Sequence, residues 1–140
     1  RKGTGMIYLL DTNTCIGYIN RRSLSIFRRL SALATEDVYL CDVVKFELYY
    51  GAYRSSRRET NLHILQEFFS QFISLPFDGV AAEICGRIRT QLAGLGTPIG
   101  AYDLQIAAIA LANNLILVTH NVNEFSRVEG LQIEDWETEG

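Results

Sequence analysis

The chain has 140 residues, 48% hydrophobic and 21% charged, a balance that suits one globular domain and excludes a disordered chain. Its formal net charge of −3 excludes a global basic field of the kind that advertises nucleic-acid binding. The longest apolar runs fall well short of the ~20 residues that a membrane span needs, and the start of the chain lacks the apolar centre of a signal peptide.

Residues 1–5 read as an expression remnant, with Met6 as the natural start and residues 6–140 as a single domain. Residues 6–10 form a short, fully apolar run stopped by Asp11-Thr12-Asn13, which predicts a buried parallel strand. Helices are expected over residues 12–20 and 23–34, the second carrying Ile26, Phe27, Leu30 and Leu33 at helical spacing. Val38-Tyr39-Leu40-Cys41 predicts a second strand, after which Asp42 is expected to cap a helix over residues 43–53.

A helix over residues 57–72 follows, with Leu62, Leu65, Phe69 and Phe72 on one stripe. Ile73-Ser74-Leu75 predicts a third strand stopped by Pro76, and Asp78 a cap for a helix running to Leu92. The Gly- and Pro-rich stretch 93–98 is a loop. A helix over 101–113, a strand over 115–118, a helical turn over 122–125 and a last strand over 131–133 complete the chain. Strands alternating with helices imply an α/β fold with a parallel sheet flanked by helices.

Within that frame two acids stand out. Asp11 sits where the first strand hands over to a helix, and Asp103 sits in the first turn of an otherwise apolar helix about ninety residues later. Glu47 lies five residues into the helix after the second strand, between Phe46 and Leu48. Ligands of open α/β sheets gather beyond the carboxyl ends of the strands. Acids collected there repel one another unless a cation neutralises them, and Mg2+ or Mn2+ prefers such oxygen ligands. Spacing alone leaves the ordinary readings open: Asp11 and Asp103 as residues favoured by a helix N-terminus, Glu47 as a solvated helix residue.

Other chemistries find less support. Cys15, Cys41 and Cys85 are odd in number and contain no C-x-x-C pair, so buried free thiols in a cytoplasmic protein are expected rather than disulfides or zinc. His63 and His120 share no element, which argues against zinc; His120 adjoins the acids and reads either as a substrate contact or as a solvated loop residue. No nucleophile has a recognisable base beside it, and there is no phosphate-binding glycine loop. Arg21, Arg22, Arg28 and Arg29 cluster early, Arg54, Arg57 and Arg58 cluster again, and acids gather at Glu134, Asp135, Glu137 and Glu139; solvated helix faces account for such runs. Leu62, Leu65, Phe68, Phe69 and Phe72 read as core, yet they exceed what one stripe buries, and with Tyr49, Tyr50 and Tyr53 they also predict a groove for a partner helix.

Four segments carry a family resemblance in order. They are Leu9-Leu10-Asp11-Thr12-Asn13, Val44-Lys45-Phe46-Glu47-Leu48-Tyr49-Tyr50-Gly51-Ala52, Ile99-Gly100-Ala101-Tyr102-Asp103-Leu104-Gln105-Ile106-Ala107-Ala108, and Val118-Thr119-His120-Asn121-Val122-Asn123-Glu124-Phe125-Ser126-Arg127-Val128. From Met6 to Trp136 the chain resembles PIN-domain ribonucleases, and among them the VapC-type toxins of toxin–antitoxin pairs. The resemblance implies a PIN-like parallel sheet with helices on both faces and a Mg2+-dependent endoribonuclease (Mn2+ substituting) held inactive by a cognate antitoxin. It makes Asp11 and Asp103 direct metal ligands and Glu47 a ligand or water-mediated partner that orients or deprotonates the attacking water. Where the family often has a further acid, this chain has the uncharged Asn121, and Glu124 is the candidate replacement; the pair also reads as a capping box. Thr119 reads either as an orienting group or as a structural cap.

Transfer RNA is the substrate class the resemblance points to first, with a homodimer as default and operator DNA met only through the antitoxin complex. One rival reading, which the departure at Asn121 favours, is a catalytically weak PIN-like module working mainly in antitoxin and operator-DNA binding. A small-molecule phosphohydrolase is a second rival, disfavoured by the missing phosphate loop.

Overall fold

A computed structural model describes residues 5–138; the reading of residues 1–5 as a remnant falls almost entirely outside them, as does Glu139. The elements run β1 (Tyr8–Leu10), α1 (Thr12–Ile19), α2 (Leu24–Ser31), a 3-10 turn (Thr35–Asp37), β2 (Val38–Cys41), α3 (Asp42–Arg54), α4 (Arg58–Phe69) and β3 (Ile73–Leu75). They continue as α5 (Gly79–Gly94), α6 (Ala101–Ala112), β4 (Ile116–Val118), α7 (Val122–Phe125) and β5 (Ile133–Glu134). No helix among the described residues is long and apolar enough to cross a membrane.

All four strand pairings are parallel, in the order β3-β2-β1-β4-β5. From the central β1 the chain first moves outward through β2 to β3, then returns to the other side of β1 for β4 and β5. Right-handed crossovers therefore put the helices of the two halves on opposite faces. The reversal falls between β1 and β4, and it leaves a crevice beyond their carboxyl ends. Asp11 and Thr119 are the residues that immediately follow those two strands.

The sheet is apolar on both faces because both are covered. Leu9, Leu10, Leu40, Leu117 and Val118 are fully buried, each gaining roughly 1.5–3 kcal/mol over an exposed position. Helix α6 buries Leu104, Ile106, Ala107, Ala108, Ile109 and Ala110. Its alanines let it lie close to its neighbours, and the first turn of this buried helix carries Asp103. Trp136 is buried against the central strand, with its ring edge-on to Tyr8 at 5.2 Å.

Several expected elements are corrected. Asp42 is the first residue of α3, not its cap; Cys41 holds that position, and the Asp42 carboxylate accepts from the Ser74 hydroxyl at 2.6 Å. Helix α4 ends at Phe69, three residues early, and the last strand lies at Ile133–Glu134, where it pairs with Leu117 and Val118. Leu65, Phe68 and Phe69 are core, with Leu62 and Phe72 packed partly buried against them, and Leu65 also lines a cleft between α1, α3 and α4. Cys15 and Cys41 are buried free thiols, whereas Cys85 is only half-buried.

Candidate active site

Asp11 is the cap of α1, its Oδ1 accepting from the Thr14 N–H at 2.8 Å. Capping explains one oxygen and not the position, since the side chain is 6% exposed. Burial raises its pKa above the ordinary range; hydrogen bonds from the Thr119 and Thr14 hydroxyls and the Thr14 N–H oppose that, and Glu137 adds repulsion. The single Thr14 hydroxyl hydrogen is shared with the Val118 carbonyl at 3.2 Å, tying the start of α1 to the end of β4.

Asp103 occupies the first turn of α6, whose cap is Gly100. The helix macrodipole favours an anion there by roughly 0.3–1 kcal/mol, yet the carboxyl is pushed up to about 7. Burial is the largest cause, followed by a hydrogen bond with the Glu124 carboxyl and by the negative charges of Glu124, Glu47 and Asp11. Burial and like charge outweigh the dipole. Three acids from three other segments thus act on the Asp103 carboxyl.

Glu47 is half-buried on α3, and its Oε1 accepts from the Thr12 hydroxyl at 2.6 Å. Glu124 does not form the capping box expected with Asn121. Asn121 makes no side-chain cap bond; its amide instead donates to Glu124 Oε2 at 2.6 Å, and its backbone N–H donates to Thr119 Oγ1 at 3.0 Å. Glu124 Oε1 accepts from the Gly100 N–H at 3.1 Å, so this side chain bridges the turn after β4 to the start of α6.

No lysine or arginine is among the groups that shift Asp11 or Asp103. A set of hard oxygen donors, with Asp11 buried and the others half-buried, and without a cationic partner, fits a divalent cation. Among the described residues no three His, Cys, Asp or Glu side chains close around one point. An ion here would keep water among its ligands, which is how Mg2+ is commonly held by one or two carboxylates.

Some functional candidates escaped the sequence reading. Thr12 and Thr14 sit inside the Asp-Thr-Asn-Thr run, whose two hydroxyls close behind Asp11 were the available signal. Glu137 had none, because only the packing of the chain end brings it to bear on Asp11. His120 is exposed but not simply solvated: its Nδ1 lies 2.9 Å from Asp135 Oδ2. Among the described residues His63 pairs with Glu67 alone, on the surface of α4 and away from the site acids.

Comparison with known proteins gives three results that agree. The PIN domain family matches residues 8–131. The tRNA(fMet)-specific endonuclease VapC of Salmonella typhimurium is 41% identical over 129 residues, covering 92% of this chain and 97% of that protein. Ribonuclease VapC2 of Rickettsia felis is 38% identical over 133 residues, covering 94% and 99%. Among solved structures, DNA-bound VapBC from Salmonella typhimurium superimposes with a TM-score of 0.88 at 40% identity, covering 94% of this chain and 98% of that one.

Proposed function

The chain belongs to the PIN-domain family as a VapC-type ribonuclease, and from that premise we propose that it is a metal-dependent endoribonuclease toxin whose site is the Asp11–Glu47–Asp103–Glu124 cluster. The observation that carries this reading is the joint action of Glu124, Glu47 and Asp11 on the raised Asp103 carboxyl. Transfer RNA is the substrate class, by likeness to the Salmonella enzyme.

Asp11 and Asp103 would hold Mg2+, with Mn2+ able to substitute. When bound, the ion supplies charge neutralisation at the scissile phosphate and eases ionisation of the attacking water. Glu47 takes the proton of that water, held in position by the Thr12 hydroxyl. Thr119 and Thr14 keep Asp11 in one orientation. Glu124 supplies the charge that Asn121 lacks and fixes the start of α6 through Gly100. That contribution weighs against the module that only binds antitoxin and operator.

Toxicity is held in check by a cognate antitoxin, and operator DNA is met through that complex, by likeness to the VapBC assemblies. A cleft of about 260 Å³ between α1, α3 and α4, lined by Ile16, Ile19, Leu48, Ala52 and Leu65 with Glu47 at its edge, fits an apolar antitoxin segment. The buried free thiols Cys15 and Cys41 favour work in the cytoplasm.

Purified protein free of antitoxin should cleave transfer RNA with Mg2+ and lose cleavage in EDTA and in Asp11→Asn. Equal cleavage in all three would overturn the metal-nuclease reading.

A further inference from the structure

One face of α3 is left unpartnered. Phe46, Tyr50 and Tyr53 recur at helical spacing and are 48%, 58% and 55% exposed. A soluble surface rarely leaves three consecutive face positions aromatic without a use. The stripe starts at the acids: Phe46 precedes Glu47, and its ring stands edge-on at 5.1 Å to the half-exposed ring of Tyr102, the neighbour of Asp103.

Its other end is cationic. The Arg54 guanidinium lies 4.9 Å from the centre of the Tyr50 ring. Arg58 lies 6.0 Å from that of Tyr53 and donates from Nε to the Tyr53 carbonyl at 3.0 Å. Arg57 is exposed beside them. Among the described residues no carboxylate lies within ion-pair distance of any of the three. In a chain of net charge −3, uncompensated positive charge is thus concentrated two turns along α3 from Glu47, about 10 Å by helical rise.

We propose that the Tyr102–Phe46–Tyr50–Tyr53 stripe, with Arg54 and Arg58 at its end, is the platform on which unpaired bases flanking the cut lie. Every base has a face that stacks on an aromatic ring, and guanidinium groups neutralise the phosphates between bases. Rings alone would fit a protein partner as well. The unneutralised arginines, and the continuity of the stripe with the acid cluster, favour a polyanion threaded toward it. A duplex keeps its bases stacked on one another, so the occupant is a single-stranded or loop segment. This inference rests on the nuclease reading for the direction of the strand but makes its own binding claim.

The test measures the affinity of a fluorescent single-stranded RNA oligonucleotide, and of the same sequence in a duplex, by anisotropy without divalent metal. Wild type is compared with Tyr50→Ala/Tyr53→Ala, Tyr50→Phe/Tyr53→Phe and Arg54→Ala/Arg58→Ala. The alanine ring variant should bind single strands at least tenfold more weakly and the phenylalanine variant within twofold of wild type. Loss of the rings should leave duplex affinity little changed, whereas the arginine variant should weaken both. Unchanged single-strand affinity in the alanine ring variant overturns the proposal. So does a fall of that variant's mass in solution to a smaller oligomer, which would assign the rings to a contact between copies of this chain. Cleavage of the same oligonucleotide with Mg2+ is followed separately. Ring-dependent binding supports the platform even if no cleavage occurs, and ring-independent binding overturns it even if the RNA is cut.

Discussion

The Thr12 hydroxyl donates to Oε1 of Glu47 at 2.6 Å and thereby joins the residue after Asp11 to an acid on a different helix. A carboxylate on a half-exposed helix face has several rotamers, and this bond selects one. Removing the hydroxyl should therefore act on catalysis more than on folding. Thr12→Val is expected to slow single-turnover RNA cleavage about tenfold, equivalent to about 1.4 kcal/mol in the barrier, while Thr12→Ser retains most of the rate. A Thr12→Val protein as fast as wild type would release Glu47 from its assigned orientation.

Asp103 sets a pH dependence whose sign follows from its environment. Its folded pKa of about 7 lies above the ordinary ~3.9 of an unfolded aspartate. The folded protein therefore binds the extra proton between those values, and metal-free stability from this group falls as pH rises from about 4 to about 7. Asp103→Asn removes that fall. Its melting temperature should match wild type near pH 4, exceed it increasingly up to pH 7 and stay constant above. Parallel melting curves across that range would contradict the raised pKa.

Magnesium should stabilise the folded wild type by linkage, by about 2.7 kcal/mol at a hundredfold excess over its dissociation constant. Asp11→Asn should lose most of this shift and Glu47→Gln should keep part of it, since Glu47 is assigned to the water rather than to the ion. Because binding displaces the Asp103 proton, the affinity should weaken below pH 7 by up to about tenfold per unit. Thermal shift titrations at two pH values check both points. Equal shifts in the three proteins would contradict the assignment of the ligands.

Glu124→Gln keeps an acceptor for the Gly100 N–H but removes the negative charge acting on Asp103. Cleavage should fall at least tenfold, about 1.4 kcal/mol in the barrier, with little change in melting temperature. Adding Asn121→Asp to that background restores a charge beside the site and reverses the donor and acceptor of the Asn121–Glu124 contact. Partial recovery of cleavage is expected. Full activity in Glu124→Gln alone would leave Asp11, Glu47 and Asp103 as the whole acidic set.

The pattern of the chain showed most of the scaffold because the sheet is built from short apolar runs with sharp polar ends. Val38–Cys41, Ile73–Leu75 and Val122–Phe125 lie where periodicity and bounding residues put them. The departures all come from contacts distant in sequence. Asp42 is a good local cap, but Ser74 on the neighbouring strand occupies its carboxylate. Asn121 and Glu124 spell a capping box, but Gly100 and Asp103 draw Glu124 away. At the site, Asp11 was legible as a candidate because it directly follows β1. Glu47 and Asp103 instead lie inside α3 and α6, and it is the fold that brings their charges to bear on one another. Thr12, Thr14 and Glu137 were not legible, since their roles depend on which side chain each meets.

The central claim is that this carboxylate cluster cuts RNA in the cell, and sequencing the RNA ends that appear after brief expression tests it most directly. Wild type should create new ends at a few positions concentrated in transfer RNA, and Asp103→Asn, expressed to the same level, should create none. The same ends from both proteins would contradict the account.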